Sequence, residues 1–220
     1  MPNVVIFGIS DSSQLAKFYI ENDPKYSSFR VVAFTVDSDY IDKDTFEGLP
    51  VIDFSKIEVE FPPEKNLLFV PITGKKMNKV RMDKYERGKE LGYEFFSYIS
   101  SDATVMSDQI GENCFILEDN TIQPFVSIGN NVVMWSGNHI GHHSIIGDHV
   151  YFTSHVVLSG HCEVGEYSWF GVNSTIRDFC KIGQSCLIAM GSLVTKDTQD
   201  NSLYVGSPAK KQDKSPMDVF

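Results

Sequence analysis

Stepping by six from Ile110, the chain reads Ile110, Ile116, Ile122, Ile128, Met134, Ile140, Ile146, Phe152, Leu158, Val164, Phe170, Ile176, Ile182, Ile188 and Val194. All fifteen positions are apolar. An α-helix cannot use this period, because six residues turn it through about 600° and successive positions fall on different faces. A flat sheet would alternate with period two. A six-residue period is the signature of a parallel β-helix, in which a short strand turns a corner every six residues. Glycine follows the apolar residue at Gly111, Gly129, Gly147, Gly165 and Gly183, a spacing of 18. Three hexapeptides per coil therefore make a triangular prism. One of its corners must need glycine's backbone freedom or its lack of a side chain. The residue four places after each apolar position is usually small, as a narrow interior requires. All four cysteines, Cys114, Cys162, Cys180 and Cys186, occupy that place. With no CxxC spacing they read as buried filler, not as a disulfide framework or metal set.

The residues before the repeat follow a different pattern. VVIFGIS (4–10), RVVAFTVD (30–37) and NLLFVPI (66–72) read as buried strands. SSQLAKFYIEN (12–22) and KKMNKVRMDKYERGKELG (75–92) read as helices, the second stopped by glycine. Strand–helix alternation predicts a small parallel α/β unit, Rossmann-like in outline. Gly8 and Ser10 before a helix suit either a phosphate cradle or a plain strand-to-helix turn. The expected organisation is an α/β domain over 1–97, an all-β prism over 98–200 and an exit segment over 201–220.

Charge and hydropathy exclude other classes. The 220 residues hold 19 Lys+Arg against 29 Asp+Glu, a formal charge of −10, so no nucleic-acid groove is expected. No apolar run is long enough to span a membrane, and no signal peptide is visible, so a cytoplasmic location is expected.

The repeat persists over some 85 residues and ends in GSLVTKD (191–197) and VGSPAKK (205–211). In this it resembles the hexapeptide-repeat acyltransferases. The α/β unit ahead of it narrows the resemblance to sugar-modifying members, the bacillosamine-type nucleotide-sugar N-acetyltransferases and the sialic-acid O-acetyltransferases. The resemblance implies a left-handed coil and a homotrimer, with acetyl-CoA lying between neighbouring prisms and active sites between subunits. It implies acetyl transfer to the amine of a nucleotide-linked deoxyamino sugar, as in polysaccharide biosynthesis. A sugar hydroxyl acceptor and a non-catalytic β-helix scaffold are the alternatives. The nucleotide would lie on the α/β domain, with Gly8, Ile9, Ser10, Asp37 and Arg81 as substrate contacts. Relatives often carry two adjacent acids after the second strand, where this chain has Val36 and Asp37.

The stretch GNHIGHHSIIGDH (137–149) holds four of the six histidines. The resemblance puts the general base two residues after an apolar repeat position, which is His142, with His139 as the second candidate. Residues 18 apart stack, so Pro124, His142, Gly160, Asp178 and Lys196 form one column. Gly160 is then placed to give its N–H to a thioester oxyanion. His155 stacks with Gly137, Asn173 and Gly191, and these, with Ala189, Gly160 and Lys196, are the expected cofactor contacts. Where relatives carry an acid after the base, this chain has His143. His143, His149, His155 and His161 recur every six residues, as solvated surface positions of the repeat would. The zinc-binding β-helix carbonic anhydrases space two ligands five residues apart. The separations among these histidines include 1, 3, 4, 6 and 7 but never five, and no metal is expected.

Overall fold

The computed structural model describes residues 1–219. Its N-terminal part is a five-stranded sheet in the order β3-β4-β2-β1-β5. The strands are β1 (Asn3–Phe7), β2 (Arg30–Val36), β3 (Thr45–Phe46), β4 (Leu49–Asp53) and β5 (Asn66–Phe69). All pairings are parallel except β3 with β4. The β3–β4 hairpin escapes the sequence pattern because β4 is short and contains Pro50. Proline is tolerated there because only Val51 to Asp53 pair inward, with β2.

Helix α1 (Asp11–Asn22) follows β1, a four-residue helix α2 spans Ile57–Glu60, and α3 covers Lys79–Glu90. The last begins four residues later than the pattern suggests. Lys76, Met77 and Asn78 all have positive φ, so the chain turns before it coils. Met77 and Asn78 are buried. Met77 packs beside Leu187 and Leu203, and Asn78 donates to the carbonyl of Tyr167. The turn docks this segment on the prism.

From Tyr98 onward the chain is a three-sided parallel β-helix of the left-handed class. The first face runs from Tyr98–Ile99 through Phe115, Val133, Tyr151, Trp169 and Leu187 to Leu203. The second carries Thr104, Thr121, His139, Val157, Thr175 and Leu193. The third carries Gln109, Ser127, Ile145, Glu163 and Lys181. As far as Leu193–Val194 each strand is two residues long, one side chain out and one in, and the inward set is the six-residue series. From Ile116 to Val194 every member of that series is buried. The cysteines fill the interior as free thiols, and burial pushes Cys114 up to about 12.

The corners explain two features of the sequence. Gly111, Gly129, Gly147, Gly165 and Gly183 do not have positive φ. A Cβ on Gly165 would lie 2.6 Å from the backbone nitrogen of Gln184 on the next coil, so the lack of a side chain is what matters. From Ile110 to Ile188 the left-handed conformation falls three residues after each apolar position, at Asn113, Asp119, Phe125, Asn131, Gly137, His143, His149, His155, His161, Tyr167, Asn173, Phe179, Ser185 and Gly191. Asn, Asp and His tolerate that conformation better than most side chains. The six-residue recurrence of four histidines is thus first a backbone requirement.

Candidate active site

The prism and the α/β domain meet at the corner between the third and first faces. Arg81, expected at the substrate, is fully buried there. Its Nε donates to Asn131 Oδ1 at 3.1 Å, and its Nη2 donates to the carbonyls of Asn131 and His149, both at 3.1 Å. The guanidinium also lies over the Tyr151 ring, 5.3 Å from its centroid. Burial lowers its pKa to about 10, so it remains charged. Arg81 ties α3 to the prism and has no surface to offer a ligand. Four residues of spacing along α3 carry no signal of this, because the partners come from distant coils.

His149 also departs from expectation. It is 5% exposed, not solvated. Asn131 Nδ2 faces its Nδ1 at 2.9 Å, and its ring stacks on Tyr167 at 4.9 Å. Burial, with Arg81 close by, lowers its pKa to about 4 against an attraction from Asp148. The folded state keeps His149 neutral, while the unfolded chain takes a proton near pH 6.5. Stability from this group is therefore complete above pH 7 and falls as pH drops from 6.5 toward 4. The loss should be on the order of 2–3 kcal/mol. Urea midpoints at pH 7.5 and 4.5 for wild type and His149→Asn, which tolerates the left-handed backbone, should diverge less for the variant. Parallel pH curves for the two proteins would refute this role.

The corner between the second and third faces holds the opposite arrangement, a group of exposed rings. His142 projects from it, its backbone N–H donating to Gln123 Oε1 at 2.9 Å. Its Nδ1 is 3.0 Å from His143 Nδ1, with the two rings perpendicular. The imidazole lies over Gly160 one coil on. A Cβ built there would come within 2.9 Å of His142 Cε1 and 3.0 Å of Nε2. The Gly160 N–H donates to no protein group among the described residues. His142, Ser159, Gly160, His161, Asp178 and Phe179 line one open depression. His139 is half-buried on the adjoining face, paired through its strand with Thr121 and Val157.

The remaining expected cofactor contacts lie along the second face. At its far corner the His155 ring is parked against Gly137, where an added Cβ would collide with Nδ1. Asn173 is exposed on the same column. Gly191 is left-handed at φ 65°, with open space where a side chain would be. Ala189 is half-buried at that corner, whereas Lys196 is exposed at the His142 corner. The expected set thus straddles the second face, and Gly160 and His155 mark its two edges.

On the α/β domain, Gly8 has φ 106°, and a Cβ there would collide with Ser13 Oγ at 2.5 Å and Ile72 at 2.8 Å. Ile9 and Ser10 follow, and Ser10 caps α1 without a side-chain bond to its N–H groups. Asp37 accepts from Lys84 Nζ at 3.0 Å, and Asp83 lies 3.1 Å from the same ammonium. Burial pulls the Lys84 pKa down, but the two carboxylates win and the net shift is upward. Gly8, Ser10, Asp37 and Lys84 gather at the C-terminal edge of β1 and β2, where open α/β sheets bind ligands. Lys84 went unnoticed in the sequence because it is one of several cations on a charged helix.

Comparison with known proteins follows the fold. No family model matches the chain, and a search of curated proteins finds no match. Solved structures do match over nearly the whole length. The acetyltransferase domain of PglB from Neisseria gonorrhoeae superposes with a TM-score of 0.83 at 20% identity, covering 96% of this chain and 100% of that one. A mutant of perosamine N-acetyltransferase from Caulobacter crescentus, in complex with CoA and GDP-perosamine, gives 0.84 at 22% identity, covering 97% and 98%. WeeI from Acinetobacter baumannii gives 0.81 at 19%, covering 95% and 99%.

Proposed function

We propose that this chain transfers an acetyl group from acetyl-CoA to the amine of a nucleotide-linked deoxyamino sugar. The observation that carries the reading is His142 lying over Gly160, whose N–H is free to donate. The likeness of the whole chain, sheet and prism together, to a perosamine N-acetyltransferase bound to CoA and GDP-perosamine supports it.

In this reading the thioester lies along the second face with its carbonyl carbon beside His142. The neutral sugar amine attacks that carbon, and His142 Nε2 takes the proton released from nitrogen. The carbonyl oxygen becomes an oxyanion and receives the Gly160 N–H, a contribution of about 3 kcal/mol for one such donor. Collapse breaks the carbon–sulfur bond and returns the proton to the departing thiolate. Two Nδ1 atoms 3.0 Å apart cannot both carry hydrogen. With the proton on His142 Nδ1, its Nε2 presents the lone pair that a base needs. His143 thus takes the orienting place that an acid holds in relatives. Holding both substrates in one groove supplies a further large factor, so no covalent nucleophile is required. The nucleotide would lie at Gly8, Ile9, Ser10 and Asp37, with Lys84 adding a cation.

The test is product analysis with acetyl-CoA and a panel of nucleotide-linked 3- and 4-amino sugars and their hydroxyl counterparts. Turnover of an amino sugar is expected. Turnover confined to hydroxyl sugars would move the assignment to O-acetylation, and none with any acceptor would favour a scaffold.

The same reading places the active sites between subunits of a homotrimer. Phe125 is 71% exposed, Phe179 65%, Ile145 54% and Val157 39%, all on the His142 corner or its flanking faces. So much apolar surface around one edge suits contact with a second prism. Light scattering should give three times the 24.7 kDa chain mass; a monomer at micromolar concentration would contradict it. Among the described residues no helix is long and apolar enough to cross a membrane.

A further inference from the structure

The His142 corner carries more imidazoles than a single base requires. His142, His143 and His161 are all exposed, and one ring nitrogen from each lies within 4.8 Å of the others. His142 and His143 already present nitrogens to each other at 3.0 Å. His143 and His161 hold equivalent positions on successive coils, their rings 4.8 Å apart and 14° from parallel. The His142 and His161 rings are 5.0 Å apart at 90°. No carboxylate forms an ion pair with any of the three among the described residues.

We propose that these three histidines form a site for a borderline-soft divalent cation such as Zn²⁺, and that its occupancy silences acyl transfer. The silencing rests on the proposed role of His142; the site itself does not. Zinc binds imidazole nitrogen at about 2.0–2.1 Å, so two ligands of a tetrahedral ion lie roughly 3.4 Å apart. The His142–His143 pair is close to that separation. The exposed His161 ring stacks between His143 and Phe179, at 4.8 and 4.7 Å, and must turn out of that stack to bring in the third nitrogen, now within 4.8 Å of the others. Three neutral nitrogens with an open fourth place for water suit zinc, copper or nickel better than magnesium or calcium. With the cation on His142 Nδ1, the ring's one hydrogen must sit on Nε2, and the lone pair on which the base depends is lost. Spacing places His143 beside His161 but does not reveal the site, because the approach of His142 to His143 depends on the orientation of the two rings. In the proposed reaction the ion acts as an inhibitor, not a cofactor.

Zinc uptake by chelator-stripped protein tests the site directly, by equilibrium dialysis against ZnCl₂ at pH 7.5. Wild type should bind one ion per chain at micromolar concentration. His161→Asn keeps a residue suited to the left-handed backbone at φ 58°. It should weaken binding at least about tenfold, the least that even an outer-shell partner commonly contributes. Acetylated sugar, measured by mass spectrometry so that zinc–thiol binding does not interfere, reads the second half. Zinc should inhibit wild type reversibly with EDTA, and, relative to its own zinc-free rate, His161→Asn should need at least about tenfold more zinc for the same inhibition. No uptake by wild type, or equal uptake by the variant, overturns the site. Uptake without inhibition of an active enzyme overturns the silencing. If no sugar is acetylated, the proposed function fails, yet the dialysis result still decides the site.

Discussion

Replacing His142 by alanine is expected to lower kcat for sugar acetylation at least about 100-fold, with little change in KM for acetyl-CoA. A positioned general base contributes roughly 10²–10⁴ in rate, and its loss falls on the transition state, not on ground-state binding. The substitution should spare the fold, because His142 is exposed and only its backbone N–H and ring edge are engaged. Product formation under saturating acetyl-CoA, with circular dichroism as control, reads the effect. His142→Ala retaining full kcat would refute the base and direct attention to half-buried His139. A rise in KM with kcat unchanged would mean that the ring binds substrate without moving a proton. The Gly160 N–H survives either way, so residual turnover above background is expected from the oxyanion donor and from proximity.

The largest effect on stability is expected at Arg81. Methionine there would roughly keep the packing volume but withdraw the donors that serve Asn131 Oδ1 and the carbonyls of Asn131, His149 and Val150. The charge is fully buried and is held by carbonyl and amide oxygens, with no carboxylate among these partners. Hydrogen bonds to a charged group contribute about 1.5–3 kcal/mol each, and stranded buried acceptors add their desolvation cost. A loss of about 3 kcal/mol or more is the expected sum, or roughly 6–12 °C in melting temperature for a chain this size. Calorimetry should also show the transition broadening, since the α/β domain and the prism would lose one of their anchors. An unchanged melting temperature would show that packing alone holds the two parts together.

These two residues also mark where sequence reasoning succeeds and where it stops. His142 over Gly160 was legible because a β-helix is quasi-one-dimensional: a residue's neighbours lie 18 away, and simple addition finds them. The same arithmetic brought His143 beside His161. It did not reveal that His143 would turn its Nδ1 toward His142, because a ring's orientation depends on rotamers and not on register. Arg81 and His149 were misread for a different reason. Each looks like a surface residue within its own periodic element, and each is buried by the other domain. Lys84 is the converse case, an ordinary helix cation made specific only by meeting Asp37 across 47 residues of chain.

The sequence alone determined the prism, its three faces, its inward apolar series and the column that joins His142 to Gly160, since all of these are local repeats of one geometric rule. The tertiary structure alone decided which corner is buried under the α/β domain and which stays open. The first corner became a structural junction built on Arg81 and His149. The second leaves three imidazoles uncovered by their own chain. Contacts between two domains have no period, and only the packed chain reveals them.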